Sequence, residues 1–402
     1  MIKKKNGISK GGAIALSVLV GLIETGLIVL AAVGIIWMTE HRTQADGNKV
    51  VSDSLETKLE VIRMRINQKF LYDTTDVEYD DYILKGFVES FGDPYTVYYT
   101  AEEYKTLQES MEGTYSGIGV MVSQNVETGI ITVIKAYSNG PGYAAGIRND
   151  DIFYKVAGEE CTGVDVNLVV SKIRGTAGTP VEITVYRPSE NRYIDYTIIR
   201  QVVEVEEVDS RMLEGNIGYI SVDSFTEVTF TQFKNAYRAL VSDGAEKLII
   251  DLRDNGGGLV TSVCDMAEMV VPAGKMIVYT EDRDGAKQTY ASMTTPEITL
   301  PLVVLVNGET ASASEIFTGA IKDYKLGTII GTQTFGKGIV QGLYELTDGS
   351  ALKVTISRYY TPSGVCIHGT GIEPDIEIED DYQTEEDEQL DAAIRYLMNH
   401  AE

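Results

Sequence analysis

The chain has 402 residues, 44% hydrophobic and 23% charged, which supplies apolar material for two or three packed domains and excludes a largely disordered protein. Its formal charge of −26 at pH 7 excludes a phosphate-backbone binder, so no nucleic-acid partner is expected. Cys161, Cys264 and Cys366 are far apart and odd in number, which argues against a disulfide framework and a zinc site; no metal or cofactor is expected.

The charge is uneven, because residues 1–42 carry five Lys/Arg against two Glu while the remainder is strongly acidic. Gly12 to Met38 holds Glu24 as its single charge and exceeds the ~20 apolar residues that span a bilayer. Residues 12–38 therefore read as a transmembrane helix, too long for the ~7–15-residue apolar region of a cleaved signal peptide. Lys3, Lys4, Lys5 and Lys10 precede it and Arg42 alone follows closely. The positive-inside rule then places residues 1–11 in the cytoplasm and the remaining chain outside, as a single-pass protein of the cell membrane.

Residues 39–111 read as a linker and a helical segment. From Val50 to Phe70, Leu55, Leu59, Ile62 and Ile66 recur at helical spacing. A second helix runs from about Asp80 to Phe91 and ends at Asp93-Pro94, since the residue before proline disfavours the α region. Residues 112–205 alternate strand-like runs (GIGVMV, GIITVIKAY, PVEITVYR) with short helical segments at Pro141–Ile147 and Asn167–Ile173. This unit resembles a PDZ domain, with Ser116, Gly117, Ile118 and Gly119 at the position of its carboxylate-binding loop. Gly117 and Gly119 let backbone N–H groups approach a peptide's terminal carboxylate, while Ile118 and Val120 lie on the strand edge that pairs with it. A glycine pair beside a strand is otherwise read as a bulge.

Residues 206–379 read as an α/β core. Asn216–Val222 and Lys247–Leu252 are strands; Thr226 is placed to cap a helix bearing Phe230, Phe233, Tyr237 and Leu240. RDNGGGL follows the second strand and leads into another helix through Met269. The pattern recurs at Pro301–Asn307, a β-branched run followed by NGETASASEIF and a helix with Ile316, Ala320 and Ile321 on one side. Two βα units with loops at one edge are expected, and DNGGG lacks the Gly-Lys-Ser/Thr of a phosphate loop. Ser312 falls at a helix N-terminus, where unpartnered N–H groups suit an anionic oxygen. Lys337 follows 25 residues later between Gly336 and Gly338. Taken singly, these features read as a helix cap and an exposed turn. Residues 380–402 comprise the end of an acidic run, a solvated stretch, and a helix with Leu390, Ile394 and Leu397 on one stripe, suited to docking on the core or on a second subunit.

NGETASASEI, TFGKGIVQ and SRYYTPSGVCIHGTGIEPD together resemble the nucleophile, lysine and C-terminal motifs of the carboxyl-terminal processing (tail-specific) serine peptidases. The resemblance covers nearly everything after the membrane segment and implies a multidomain α/β protein whose core has a ClpP/crotonase-like fold. It implies Ser312 as nucleophile, Lys337 as general base and Gln341 as the lysine's orienting partner. It implies an oxyanion hole from Gly258 and Ala313 N–H, with Gly257 the alternative. Arg174 matches an arginine that couples peptide binding to activity. The implied partners are protein or peptide substrates with free C-termini. The N-terminal helices match a segment that either covers the core or supports a homodimer. Thr310 departs from the family's usual serine.

The implied chemistry is peptide hydrolysis through an acyl-enzyme on Ser312. Lysine at its unperturbed pKa of about 10.4 must be lowered by roughly 2–3 units to act near neutrality, which desolvation supplies. Two rivals remain: a non-catalytic, membrane-anchored PDZ adaptor, and a Cys366/His368 pair, whose i,i+2 spacing serves packing as readily as chemistry.

Overall fold

A computed structural model describes residues 52–75, 78–380 and 386–400. The expected membrane span at 12–38 lies outside the described residues, as does the interior of the acidic run at 381–385. No described helix is long and apolar enough to cross a membrane.

The chain divides into two compact units, the first ending at Tyr79 and the second running from Asp80 to Glu402. In the first, Asp53–Lys69 is helical; Ser52 Oγ accepts from Leu55 N–H, and Asp53 and Glu56 oppose the positive end of the dipole. None of its residues is buried, so the stripe at Leu55, Leu59, Ile62 and Ile66 has no covering element among the described residues of the unit.

The second unit begins with the helix Asp80–Glu89 and continues into Ala101–Glu112, a helix not anticipated above. Its signals are local: Thr100 and Glu103 form a reciprocal capping box, and Gly113 ends it in the left-handed conformation.

Residues 114–204 are β-rich. The strands Val120–Gln124, Ile131–Ala136, Ile152–Val156, Pro180–Arg187 and Arg192–Ile199 form an antiparallel sheet in that spatial order. In Pro180–Arg187, Val181, Ile183 and Val185 are buried and Glu182 is exposed, the period of two expected of a one-sided strand. Their core includes Ile118, Val133, Phe153 and, from the helix Val166–Ile173, Val169 and Ile173. Asp150 adopts φ 67°, a turn conformation that Asp tolerates.

The remaining core is a six-stranded sheet in the order Val208–Leu213, Ile217–Val222, Lys247–Asp251, Leu302–Val306, Thr328–Gly331, Ile376–Glu377; only the first strand is antiparallel to its neighbour. Every residue of Leu302–Val306 is buried, which matches its unbroken apolar run. Ile250, Val304 and Val306 face the helices Thr229–Ser242, Val260–Glu268 and Ala313–Tyr324. Ile249, Val303 and Leu305 face Ala393 and Leu397 of the helix Glu388–His400, which docks on the core sheet. At about 1.5–3 kcal/mol per fully buried branched side chain, these two faces dominate the favourable side of folding. A second sheet joins Val97–Tyr99, Ala351–Tyr360, Met276–Asp282 and Lys287–Ala291, with Ile339–Glu345 also paired to Ala351–Tyr360.

Thr226 does not cap the helix Thr229–Ser242; Val228 holds that position. The Thr226 N–H donates to Thr229 Oγ1 at 2.9 Å, and Thr229 donates onward to Ser224 O at 2.8 Å. The hydroxyl that organises the turn belongs to the first helical residue.

Candidate active site

The two parallel strands Lys247–Asp251 and Leu302–Val306 bring their following loops together. Asn255 joins them. Its side chain donates to Val222 O at 2.7 Å and accepts from Gly257 N–H at 2.8 Å, while its carbonyl accepts from Ala311 N–H at 3.0 Å and Ser314 Oγ at 3.0 Å. Thr310 Oγ1 donates to Leu252 O at 2.8 Å and accepts from Asn307 N–H at 2.9 Å. A hydroxyl is what this position uses, so threonine in place of serine leaves the crossing intact.

Ser312 sits at the N-cap of Ala313–Tyr324 with φ 56° and ψ −115°, a conformation costly for a non-glycine residue. Its surroundings hold it there. The Ser312 N–H donates to Glu315 Oε2 at 2.8 Å, and its carbonyl accepts from Tyr359 Oη at 2.8 Å and from Glu315 N–H at 2.9 Å. A Cβ at Gly257 would lie 2.7 Å from Ser312 Cβ and 2.8 Å from Ala311 O; only glycine permits this approach at φ 105°.

Glu315, fully buried, was not anticipated as a site residue. Oε1 accepts from Thr334 Oγ1 at 2.6 Å and Gly336 N–H at 2.8 Å; Oε2 accepts from Ser312 N–H and from Lys337 N–H at 2.9 Å. Four donors fill the acceptor capacity of an ionised carboxylate. One oxygen shared by the Ser312 and Lys337 amides keeps those two nitrogens within roughly 6 Å of each other. The signal in the sequence was the Glu three residues after Ser312, which reads simply as a capping box.

Lys337 is half-buried. Burial lowers its amine below the usual lysine range, the Lys353 ammonium pushes the same way, and Glu315 opposes them. The flanking glycines are both compressed: a Cβ at Gly336 would lie 2.8 Å from Gly371 N, and one at Gly338 would lie 2.6 Å from His368 N. Among the described residues no hydrogen bond joins Lys337 Nζ to Ser312 Oγ or to Gln341, and the buried Gln341 Nε2 has no partner. The Lys337 amine instead lies 4.7 Å from the centre of the Tyr95 ring. Cys366 and His368 make no hydrogen bond to each other among the described residues.

Gly257 and Gly258 differ in a way the sequence could not show. Gly257 N–H is taken by Asn255, whereas Gly258 N–H and Ala313 N–H donate to no protein group among the described residues, and Gly258 is exposed. Two free N–H groups on adjacent loops beside a strained serine can receive a developing oxyanion.

A separate groove of about 460 Å³ in the β-rich region is lined by Tyr115, Ile118, Val120, Val170, Ile173 and Arg174. Gly117 and Gly119 flank Ile118 without lining it. A Cβ at Gly119 would lie 2.6 Å from Gly140 Cα, so this glycine allows two loops to touch. The Arg174 guanidinium pairs with Glu109 at 3.0 Å and lies 5.0 Å from the Tyr115 ring centre.

Residues 216–378 match Peptidase family S41. The chain is 36% identical over 327 residues to the carboxy-terminal processing protease CtpA of Bacillus subtilis, covering 81% of this chain and 70% of that one. It is 35% identical over 321 residues to a carboxy-terminal-processing protease of Bartonella bacilliformis, covering 78% and 73% respectively. A putative S41 protease from Bacteroides fragilis shares the fold at a TM-score of 0.50 and 16% identity, over 85% of this chain and 97% of that one. With relatives this similar over most of both lengths, the chain belongs to peptidase family S41, as a serine peptidase of the carboxy-terminal processing type.

Proposed function

We propose that the chain is a membrane-anchored extracytoplasmic endopeptidase that cleaves protein substrates through a Ser312 acyl-enzyme, with Lys337 as general base. The observation that carries the reading is the shared carboxylate of Glu315, which binds the Ser312 and Lys337 amides on one oxygen. No described histidine makes a hydrogen bond to the serine, and the candidate proton acceptor is the lysine whose backbone shares Glu315 with it. Ser312 Oγ attacks the scissile carbonyl carbon and gives its proton to the neutral Lys337 amine. The oxyanion is received by Gly258 and Ala313 N–H, at about 3–4 kcal/mol per donor. The C–N bond breaks, and the Lys337 ammonium returns the proton to the leaving amine. Water, deprotonated by the same lysine, then attacks the ester carbon; the C–Oγ bond breaks and the Lys337 ammonium returns the proton to Ser312 Oγ, freeing the carboxylic acid product and the neutral base. Gln341 is assigned as the lysine's partner once substrate is bound, accepting through its uncharged Oε1 without adding the negative charge that would raise the lysine's pKa.

The β-rich region is read as a PDZ domain whose groove takes a free apolar C-terminus. Support comes from its apolar lining of Ile118, Val120, Val170 and Ile173 and from Arg174 at its rim. Residues 12–38 supply the anchor, and the N-terminal helices a surface for a homodimer. The reading is tested by mixing the protein with a peptide ester, quenching in acid and mapping the adduct. An acyl group on Ser312 is expected; an adduct on another residue, or none during turnover, overturns the acyl-enzyme.

A further inference from the structure

The Lys337 amine has an aromatic face where a hydrogen-bond partner would be expected. Nζ lies 4.7 Å from the Tyr95 ring centre, and among the described residues it has neither a carboxylate nor a hydrogen-bond acceptor. Tyr95 is itself held. Its N–H donates to Asp93 Oδ1 at 3.1 Å, Thr96 Oγ1 donates to Asp93 Oδ2 at 2.6 Å, and Thr96 Oγ1 accepts from Thr355 N–H at 3.1 Å. Thr355 is the cross-strand partner of Gln341. The Asp93–Thr96 turn is therefore bolted to the hairpin that carries Gln341, and the ring it projects meets the lysine between the two glycines.

We infer that Tyr95 is a positioning residue for Lys337, holding the amine by the ring face at the edge of the Ser312 site so that the proton shuttles from a fixed place. This rests on the reading of Lys337 as the base. The charged or titratable groups around the amine are Lys353 on the strand Ala351–Tyr360, Glu315 on the helix Ala313–Tyr324, His368 on the loop against Gly338, and Asp93 on the turn of Tyr95. Lys353 is occupied by Tyr99 Oη at 2.7 Å, and Glu315 by its four donors. The ring is the contact left to hold a lysine side chain whose stem leaves a turn of two glycines. A ring face favours the ammonium, so removing its electrons without changing its volume lowers the lysine's proton affinity.

The test replaces Tyr95 in the full-length protein by Phe, by di- and trifluorophenylalanine and by Leu, and follows kcat/KM against pH with one free-acid peptide. Fluorination keeps the shape and empties the ring face, so folding is preserved where Leu fails to fold. The base acts when neutral, so activity rises with pH through the lysine's titration. The acid-side midpoint is expected to fall stepwise with fluorination, by about 0.5–1 pH unit at the trifluoro variant, with KM within about twofold. Phe, which keeps the ring, restores the wild-type midpoint. One midpoint shared by Phe and the fluorinated variants overturns the inference. Lys337→Ala is run beside them: retained turnover there refutes the lysine base itself, whereas an inactive Lys337→Ala with a flat fluorination series refutes Tyr95 alone.

Discussion

Glu315 shows how much a single buried side chain organises. Its carboxylate fixes the backbone of the candidate nucleophile and of the candidate base together, and it has no water to fall back on. In Glu315→Gln one acceptor becomes an NH2 facing N–H donors, which leaves buried groups unpaired. The expected loss is about 3–5 kcal/mol in denaturant unfolding, with turnover lower by ~100-fold or more. Unchanged stability would show that the four contacts are replaceable. Lys337 makes a second prediction at this scale. Its amine titrates below the usual lysine range because burial and Lys353 disfavour the ammonium. Turnover should therefore rise with pH through a midpoint below the usual lysine range. Lys353→Gln removes the like charge and moves that midpoint upward, read from the same pH profile; a downward movement would contradict the assignment of Lys337 as base.

At the scale of elements, what the sequence revealed is what local chemistry determines. The strand Leu302–Val306 and the helix Ala313–Tyr324 follow from a β-branched run and a helical stripe, and the three motifs singled out Ser312 and Lys337 as candidates by resemblance. Ile118, Val120 and Arg174, singled out by resemblance, line one groove, whereas Gly117 and Gly119 do not. Glu315 and Tyr95 were not, because their roles depend on chain segments 22 and roughly 240 residues from their partners. Pairings such as Val97 with Lys353 leave no periodic trace in either strand. The resemblance put Gly258 ahead of Gly257, and the physical reason, Asn255 occupying the Gly257 N–H, lies in the folded loop. Gly258 is intolerant for a further reason: at φ 141° an added Cβ would lie 2.2 Å from Phe225 O. Gly258→Ala should shift this loop and reduce kcat by at least ~100-fold with KM little changed; a proportionate rise in KM alone would remove Gly258 N–H from the oxyanion site.

The junction between the β-rich region and the core carries a fourth expectation. Glu207 is pushed up to about 7, first by burial and then by Asp223, with Lys135 opposing. Its folded carboxyl binds a proton more tightly than the unfolded one. The stability this brings is present below about 4.5 and lost as pH rises through about 7. Glu207→Gln should flatten the fall in unfolding free energy between pH 5 and 8 by about 1–2 kcal/mol, allowing for the water that reaches the group. Parallel pH dependence in the two proteins would place the titration elsewhere.

For the whole molecule, the proposal joins an anchored N-terminus, a tail-binding groove and a hydrolytic site in one chain. If residues 12–38 span the membrane with residues 1–11 inside, protease added to intact cells digests the protein beyond Met38; complete protection of that region contradicts the topology. Arg174 now pairs with Glu109 at the groove's rim, so a tail carboxylate that draws on Arg174 competes with that pair. Arg174→Ala should then depress cleavage more than tail binding. Amidating the tail should weaken both, since the charge that the groove's donors receive is gone. Catalysis by the pair is tested by following cleavage of a protein ending in a free apolar tail by the full-length enzyme, Ser312→Ala and Lys337→Ala, with tail binding measured in the same samples. Both variants are expected to bind the tail within about twofold of wild type and to lose turnover by ~10³-fold or more. Near-normal cleavage by Lys337→Ala, with binding intact, would contradict it.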